Sequence, residues 1–233
     1  MNKDSKIQKA LDALRNGEVI LIYDGEGREE ETDLVVASEF TTPERIKTMR
    51  QDGGGLICTA IHPKIADNLK LPFLVDVWKY ATPQYGVFEE LEANDIPYDE
   101  KSAFSITINH RKTFTGITDN DRSLTIRELA KVSENSLNGY NPEEFGRNFR
   151  SPGHVVLLRA TEGLLKTRRG HTELSVTMVE KAGLTPLATI CEMLDDDGGS
   201  LKKTVAKRYA EKHGLIALEG REVIEEFLSE SNL

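Results

Sequence analysis

The sequence predicts an α/β fold of the α+β type: a single domain over residues 1–233, with a mixed β-sheet covered by helices in three layers. Three observations lead there. Helical patterns and short apolar runs of strand length are interleaved along the whole chain. Two of those runs, residues 19–23 and 34–37, flank a short acid-rich tip as the arms of a hairpin do, so the sheet is not built from βαβ units alone. No composition shift, Ser/Pro-rich linker or internal repeat divides the chain.

Taken in order, residues 7–16 read as an amphipathic helix, because Ile7, Ala10, Leu11 and Leu14 recur at helical spacing and Gly17 stands where it ends. Residues 18–23 form a buried strand, and residues 33–38 a second one after the acidic tip. Thr42 as N-cap and Pro43 at the first helical position open a helix to about residue 52, which Gly53-Gly54-Gly55 breaks before a strand over 56–61. Residues 72–98 hold the only tryptophan, Trp78, with three prolines, many acids and weak periodicity. They are predicted to be a long excursion with little regular structure, either a lid or a covering loop. Phe104-Ser105-Ile106-Thr107-Ile108 alternates strictly and predicts a strand with one buried face. Residues 115–122 make a polar loop, and the capping-box pattern Thr125 to Glu128 starts a helix to about residue 132. A polar surface connection over 133–148 follows. Strands are then predicted at 155–159, 187–191 and 215–218, and helices at 173–182, 202–213 and 222–228.

Hydrophobic residues make up 38% and charged residues 30%, the balance of a soluble globular protein rather than a disordered one. The net charge of −9 argues against a nucleic-acid partner. Cys58 and Cys191 sit in apolar runs with no C-x-x-C pair, which excludes a zinc ribbon and points to reduced thiols. The polar start, residues 1–8, has no signal-peptide core, and no stretch approaches the roughly 18 apolar residues of a membrane span. The expected location is the cytoplasm, with no membrane partner.

The chemistry-bearing residues fall in four places. Six of the ten residues from Asp24 to Asp33 are acids, where the chain average of 39 in 233 gives about two. If the tip is extended, Glu29, Glu31 and Asp33 share one face and Arg28, Glu30 and Thr32 the other. Three carboxylates on one face repel, and a divalent cation such as Mg²⁺ or Mn²⁺ relieves that repulsion; a solvated acidic turn fits the composition equally well. His154 and His171, 17 residues apart, each follow a glycine with arginine nearby, in Arg150-Ser151-Pro152-Gly153-His154 and Arg168-Arg169-Gly170-His171. A histidine so placed can ligate a metal or move a proton. Arg168-Arg169-Gly170-His171-Thr172 directly before a helix also has the makings of an oxyanion site, or of an exposed basic turn capped by Thr172. Glu192 follows an apolar strand, where open α/β sheets place functional groups and where solvated loops also begin. These features suggest a cation-dependent enzyme acting on an anionic, oxygen-rich small molecule.

At these motifs the chain resembles the 3,4-dihydroxy-2-butanone 4-phosphate synthase family of riboflavin biosynthesis, in an archaeal-type, monofunctional form. The matching segments, in order, are Tyr23-Asp24 with residues 28–33, Gly53 to Cys58, residues 114–122, Phe149 to His154, and Arg168 to Glu173. The resemblance implies a metal-dependent lyase that converts D-ribulose 5-phosphate into L-3,4-dihydroxy-2-butanone 4-phosphate and formate. It further implies Mg²⁺ or Mn²⁺, two ions per site, no organic cofactor, and a homodimer with its sites near the subunit interface. Carried over by motif, Glu29 and His171 are the metal ligands, and Arg28 and Asp33 contact the sugar. Arg168, Arg169, Gly170 and Thr172 hold the phosphate with help from Thr115, and Cys58 lines the site without acting as nucleophile. His154 and Glu192 serve turnover, and Glu31 and Asp24 transfer protons or orient other groups. Glu30 departs from the glycine or asparagine of many members. Two competing expectations are another metal-dependent pentose-phosphate isomerase or aldolase, and a non-catalytic sugar-phosphate-binding module.

Overall fold

The computed structural model describes residues 5–92, 94–139 and 142–229. Part of the polar start (residues 1–4) and residues 140–141 of the predicted surface connection lie outside the described residues. Among the described residues seven strands form one sheet: β1 (Ile20–Tyr23), β2 (Thr32–Ala37), β3 (Cys58–Ile61), β4 (Phe104–His110), β5 (Phe149–Arg159), β6 (Leu187–Glu192) and β7 (Ile216–Glu219). Their order is β4-β5-β3-β6-β2-β1-β7. The neighbours β1 and β7, and β3 and β5, run parallel; the other pairs are antiparallel, so the sheet is mixed. The helices are α1 (Lys6–Arg15), α2 (Pro43–Thr48), α3 (Pro63–Asn68), α4 (Leu74–Ala81), α5 (Val87–Glu90), α6 (Asp119–Ser136), α7 (Pro142–Asn148), α8 (His171–Lys181), α9 (Lys203–His213) and α10 (Gly220–Ser229).

The three layers follow from side-chain alternation. Ile20 and Ile22 of β1 face a core completed by Leu11 and Leu14 of α1, Val176 and Val179 of α8, and Val223 of α10. Leu21, with Leu34 and Val36 of β2, faces the opposite core, made with Ile46 of α2, Ile65 of α3, and Ile126 and Leu129 of α6. Strands covered on both faces need apolar side chains on both, which is why β1 and residues 34–37 of β2 read as unbroken apolar runs. Each fully buried Ile or Leu contributes about 1.5–3 kcal/mol of transfer free energy.

Several elements differ from the sequence expectation. Thr42 does cap α2, accepting from Arg45 N, but the helix passes at residue 49 into one wide turn, Met49–Gly53, that ends on Gly54 at φ 87°. The 72–98 excursion contains α4 and α5, which bury no residue and pair with each other through Trp78 stacked on Phe88 at 5.6 Å. Such local pairing leaves no sheet-facing stripe for periodicity to detect. Helix α6 starts at Asp119, capped by Thr118, which accepts from Asp121 N at 3.1 Å. Thr125 instead donates to the Asp121 carbonyl one turn back and accepts from His110 N, so it lies inside the helix. The end of α6, together with α7, occupies much of the connection predicted over 133–148. Strand β5 begins at Phe149, because residues 149–150 pair with β4 beyond an irregularity in its register. Helix α8 begins at His171 rather than residue 173, and α3 was not legible in the sequence. Among the described residues no helix is long and apolar enough to cross a membrane.

Candidate active site

The hairpin between β1 and β2 is organised by one carboxylate. Asp24, its side chain fully buried, accepts from Glu29 N at 3.0 Å through Oδ2 and from Glu31 N at 3.2 Å through Oδ1. Its partner in closing the turn is Glu30, which adopts φ 59° and accepts from Gly27 N at 2.9 Å. A left-handed residue interrupts the alternation expected of an extended tip. Glu30 turns outward as expected, but Arg28 does not point away from the ligands. Its guanidinium lies 3.7 Å from Asp24 and 3.2 Å from Asp99, beside Arg168.

His171, the first residue of α8, is buried under this tip. Its Nε2 lies 3.2 Å from the Glu31 carbonyl oxygen and 3.5 Å from Asp33 Oδ1. Donation of Nε2–H to that carbonyl fixes the ring and leaves Nδ1 aimed at Glu29 Oε2, 3.5 Å away. His171 Nδ1 and Asp33 Oδ1 are buried and have no hydrogen-bond partner among the described residues. One ligand atom each from Asp24, Glu29 and His171 lie within 4.8 Å of one another. Neighbouring ligands of a six-coordinate ion with bonds of about 2.1 Å stand about 3 Å apart and opposite ones about 4.2 Å, so a small contraction brings this set onto one ion. An orphaned imidazole nitrogen among carboxylate oxygens suits a hard divalent cation.

The cleft beside this cluster has a volume of about 260 Å³, and Glu29, Glu31, Asp33, Cys58, Arg168, His171, Thr172 and Glu192 all line it. Its surplus of acids shapes the titration of its members. Burial, then the charges of Glu192, Glu29 and Glu31, push Asp33 up to about 8 against the pull of His171. Burial works against a charged His171, but Asp33, Glu29 and Asp24 outweigh it and its pKa stands at about 10. Contact with His171 holds Glu29 below the usual carboxylate range, whereas burial followed by Glu29 and Glu192 raises Glu31. Glu192 lies level with Asp33 across β2 and β6, and accepts from Leu56 N at 2.7 Å. Burial keeps Cys58 a protonated thiol, consistent with a wall residue rather than a nucleophile.

Arg168 donates through Nε to Asp99 and through Nη1 to Glu173, both at 2.6 Å. Gly170 leaves room for the guanidinium groups as they stand: a Cβ would lie 2.4 Å from Arg168 Nη1 and 3.0 Å from Arg28 Nη2. As residue before α8 it brings no capping side chain, so the helix's first N–H groups lack a side-chain cap. Arg169 turns away, into a separate hollow with Arg28, Lys203 and Arg221. Asp99 and Tyr98, which line the cleft from the 72–102 segment, gave no periodic signal; only their acid-rich surroundings marked them.

The structure places His154 and Thr115 elsewhere. Neither lines the cleft. They meet around Asn109 of β4, which accepts from His154 N at 2.8 Å, contacts His154 Nδ1 at 3.1 Å, and donates to the Thr115 carbonyl at 3.4 Å. Gly153 lets β5 approach β4 here, since a Cβ would lie 2.0 Å from the Ile108 carbonyl carbon. Register puts Val156 level with Cys58, and Cys58 level with Ile190. His154 and Glu192 thus lie at the same edge of the sheet with β3 between their strands, roughly 10 Å apart. Beside Thr115, Phe114 is 93% exposed, and Ile117 is 50% exposed.

The fold and site define a class: a three-layer α/β protein with a carboxylate–imidazole cluster next to a pair of arginines. The family model described as 3,4-dihydroxy-2-butanone 4-phosphate synthase matches residues 8–226, and the chain belongs to that family. It is 52% identical over 223 residues to the 3,4-dihydroxy-2-butanone 4-phosphate synthase of Methanothermobacter thermautotrophicus, covering 95% of this chain and 96% of that one. The Methanosarcina mazei protein of the same description is 49% identical, with 97% and 92% covered. A solved structure of a 3,4-dihydroxy-2-butanone 4-phosphate synthase in complex with two magnesium ions superposes with a TM-score of 0.76 at 30% identity, covering 95% of this chain and 97% of that chain.

Proposed function

We propose that this chain converts D-ribulose 5-phosphate into L-3,4-dihydroxy-2-butanone 4-phosphate and formate, using Mg²⁺ or Mn²⁺ and no organic cofactor. The observation that carries the reading is the orphaned Nδ1 of His171 facing Glu29 in an acid-lined cleft beside Arg168. Glu29 and His171 would hold the cation, with Asp24 fixing the turn between them. A bound cation supplies positive charge beside the carbonyl and hydroxyl oxygens of the sugar, which lowers the cost of enolisation.

The protein's own groups supply the rest. Arg168, Gly170 and Thr172, with the uncapped end of α8, grip the phosphate and fix one end of the substrate while its carbon skeleton rearranges. Arg28 and Asp33 hold the sugar. The reaction moves several protons, so it needs more than one acid or base titrating near neutrality. Glu31, raised by burial, is suited to take a proton from a carbon-bound position and return it. Asp33, raised by burial, is suited to exchange a proton with a sugar oxygen. Glu192, anchored to the Leu56 N–H, stands beside Asp33 on the neighbouring strand.

The active form is a homodimer in which His154 and Thr115 enter the cleft of a second copy. Their distance from the cleft in their own chain and the exposed Phe114 and Ile117 beside them favour this arrangement. The deciding experiment is incubation of purified protein with ribulose 5-phosphate and Mg²⁺, with and without EDTA. Metal-dependent formate release is expected. An aldose product would favour an isomerase, and binding without turnover a sugar-phosphate-binding module.

A further inference from the structure

Arg28 and Arg168 are already occupied by an anion that belongs to the protein. Asp99 Oδ2 accepts from Arg168 Nε at 2.6 Å and from Arg28 Nη2 at 3.2 Å, and the side chain is 11% exposed. Bridging two guanidinium groups with one acidic oxygen is how such pairs bind phosphate. A phosphate oxygen cannot take the same N–H donors while Asp99 holds them, and it would also face a like charge at contact distance.

Three acids compensate the two arginines, and they differ in how firmly they are held. Glu173 has a fully buried side chain and its Oε1 accepts from Thr161 N at 2.9 Å. Asp24 holds the turn by two backbone N–H groups. Among the described residues, the second oxygen of Asp99 accepts only from the adjacent Glu100 N, at 2.9 Å, within its own segment. That segment is weakly anchored: α4 and α5 before it bury no residue, and Tyr98 beside Asp99 is 40% exposed. Few buried contacts mean a low free energy of local opening. Asp99 is therefore the acid that can leave without dismantling the site.

We propose that Asp99 is an internal stand-in for the substrate's phosphate, and that a phosphate ester displaces it from Arg28 and Arg168, moving the 96–102 segment off the cleft. A dianion with three acceptor oxygens outcompetes a single carboxylate, whereas a monoanionic ligand gains little. The device thus selects phosphorylated sugars over sugar acids. This inference rests on the reading that the two arginines grip the substrate's anionic group.

The test uses the full chain and inorganic phosphate as probe, so it does not depend on turnover. Phosphate binding is measured by calorimetry for the wild type, Asp99→Asn, Asp99→Ser and Arg168→Ala, with circular dichroism to verify folding. Removing the internal competitor is expected to tighten phosphate binding roughly tenfold, the effect of one charge-assisted contact. In the wild type, phosphate is expected to speed amide hydrogen exchange over 96–102; in the Asp99 variants exchange there should be fast without it. Arg168→Ala is expected to abolish binding. Weaker or unchanged phosphate binding in both Asp99 variants, including no binding in any protein, overturns the proposal, since Asp99 would then be positioning the arginines rather than competing for them. Formate release is read separately: its absence defeats the synthase reading and leaves the phosphate result standing.

Discussion

Glu29→Gln is the most direct perturbation of the site. The substitution keeps the side chain's volume and removes one negative charge from a set of two carboxylates and one imidazole. Partners that merely orient a ligand contribute about 10–100-fold in metal affinity. A direct ligand should therefore be worth at least about 100-fold, or about 2.8 kcal/mol. The effect on the metal-free protein is small, because two terms oppose. The amide loses the ionic contact with His171 at 3.5 Å, but it also relieves repulsion with Glu31 and Asp33. Mn²⁺ titration by calorimetry should give a dissociation constant raised at least about 100-fold, while melting in EDTA stays within a few degrees of the wild type. Mn²⁺ should raise the melting temperature of the wild type and leave that of the variant almost unchanged. A dissociation constant within about threefold of the wild type would refute the reasoning, because a carboxylate so easily dispensed with is no ligand.

Three other outcomes are expected. Glu29→Gln and His154→Ala should each be inactive alone, yet mixing and reassociating them should recover up to about a quarter of wild-type formate release, since half of the random dimers are mixed and each holds one intact site; no recovery would place His154 in the site of its own chain. Gly153→Ala forces a Cβ to within 2.0 Å of the Ile108 backbone and should destabilise the protein by about 3 kcal/mol or more; a melting temperature near wild type would mean that β4 can shift freely. Arg168→Ala should raise KM for ribulose 5-phosphate at least about tenfold with a smaller change in kcat, and an unchanged KM would remove the arginine from the phosphate grip.

Much of the fold could be read locally. Residues 19–23 and 34–37 are apolar on both faces because helices cover both faces, and the Thr42-Pro43 start of α2 was written in its cap. Of the two Gly-His pairs, His171 lines the cleft and His154 does not, and their glycines do different things. Gly170 makes room for two guanidinium groups, whereas Gly153 makes room for a neighbouring strand's backbone. Alternation placed Glu29, Glu31 and Asp33 together in the cleft and Glu30 outside it, but it missed Arg28, because Glu30 turns the tip left-handed. The capping-box signal at Thr125 was real chemistry in the wrong place: that hydroxyl serves β4 and the interior of α6.

By itself the sequence determined which residues can carry charge, ligate and cap, and hence the family and a candidate ligand pair, because those properties belong to single side chains and their near neighbours. Only the tertiary structure decided which of them meet. Sheet order carries Asp33 to Glu192, α8 to the hairpin tip, and Asp99 to an arginine 71 residues away. It leaves His154 outside the lining of the cleft, although Leu158 of the same strand lines it. Burial raises the proton affinity of Asp33, and the acids gathered around His171 raise that of the imidazole against the effect of burial.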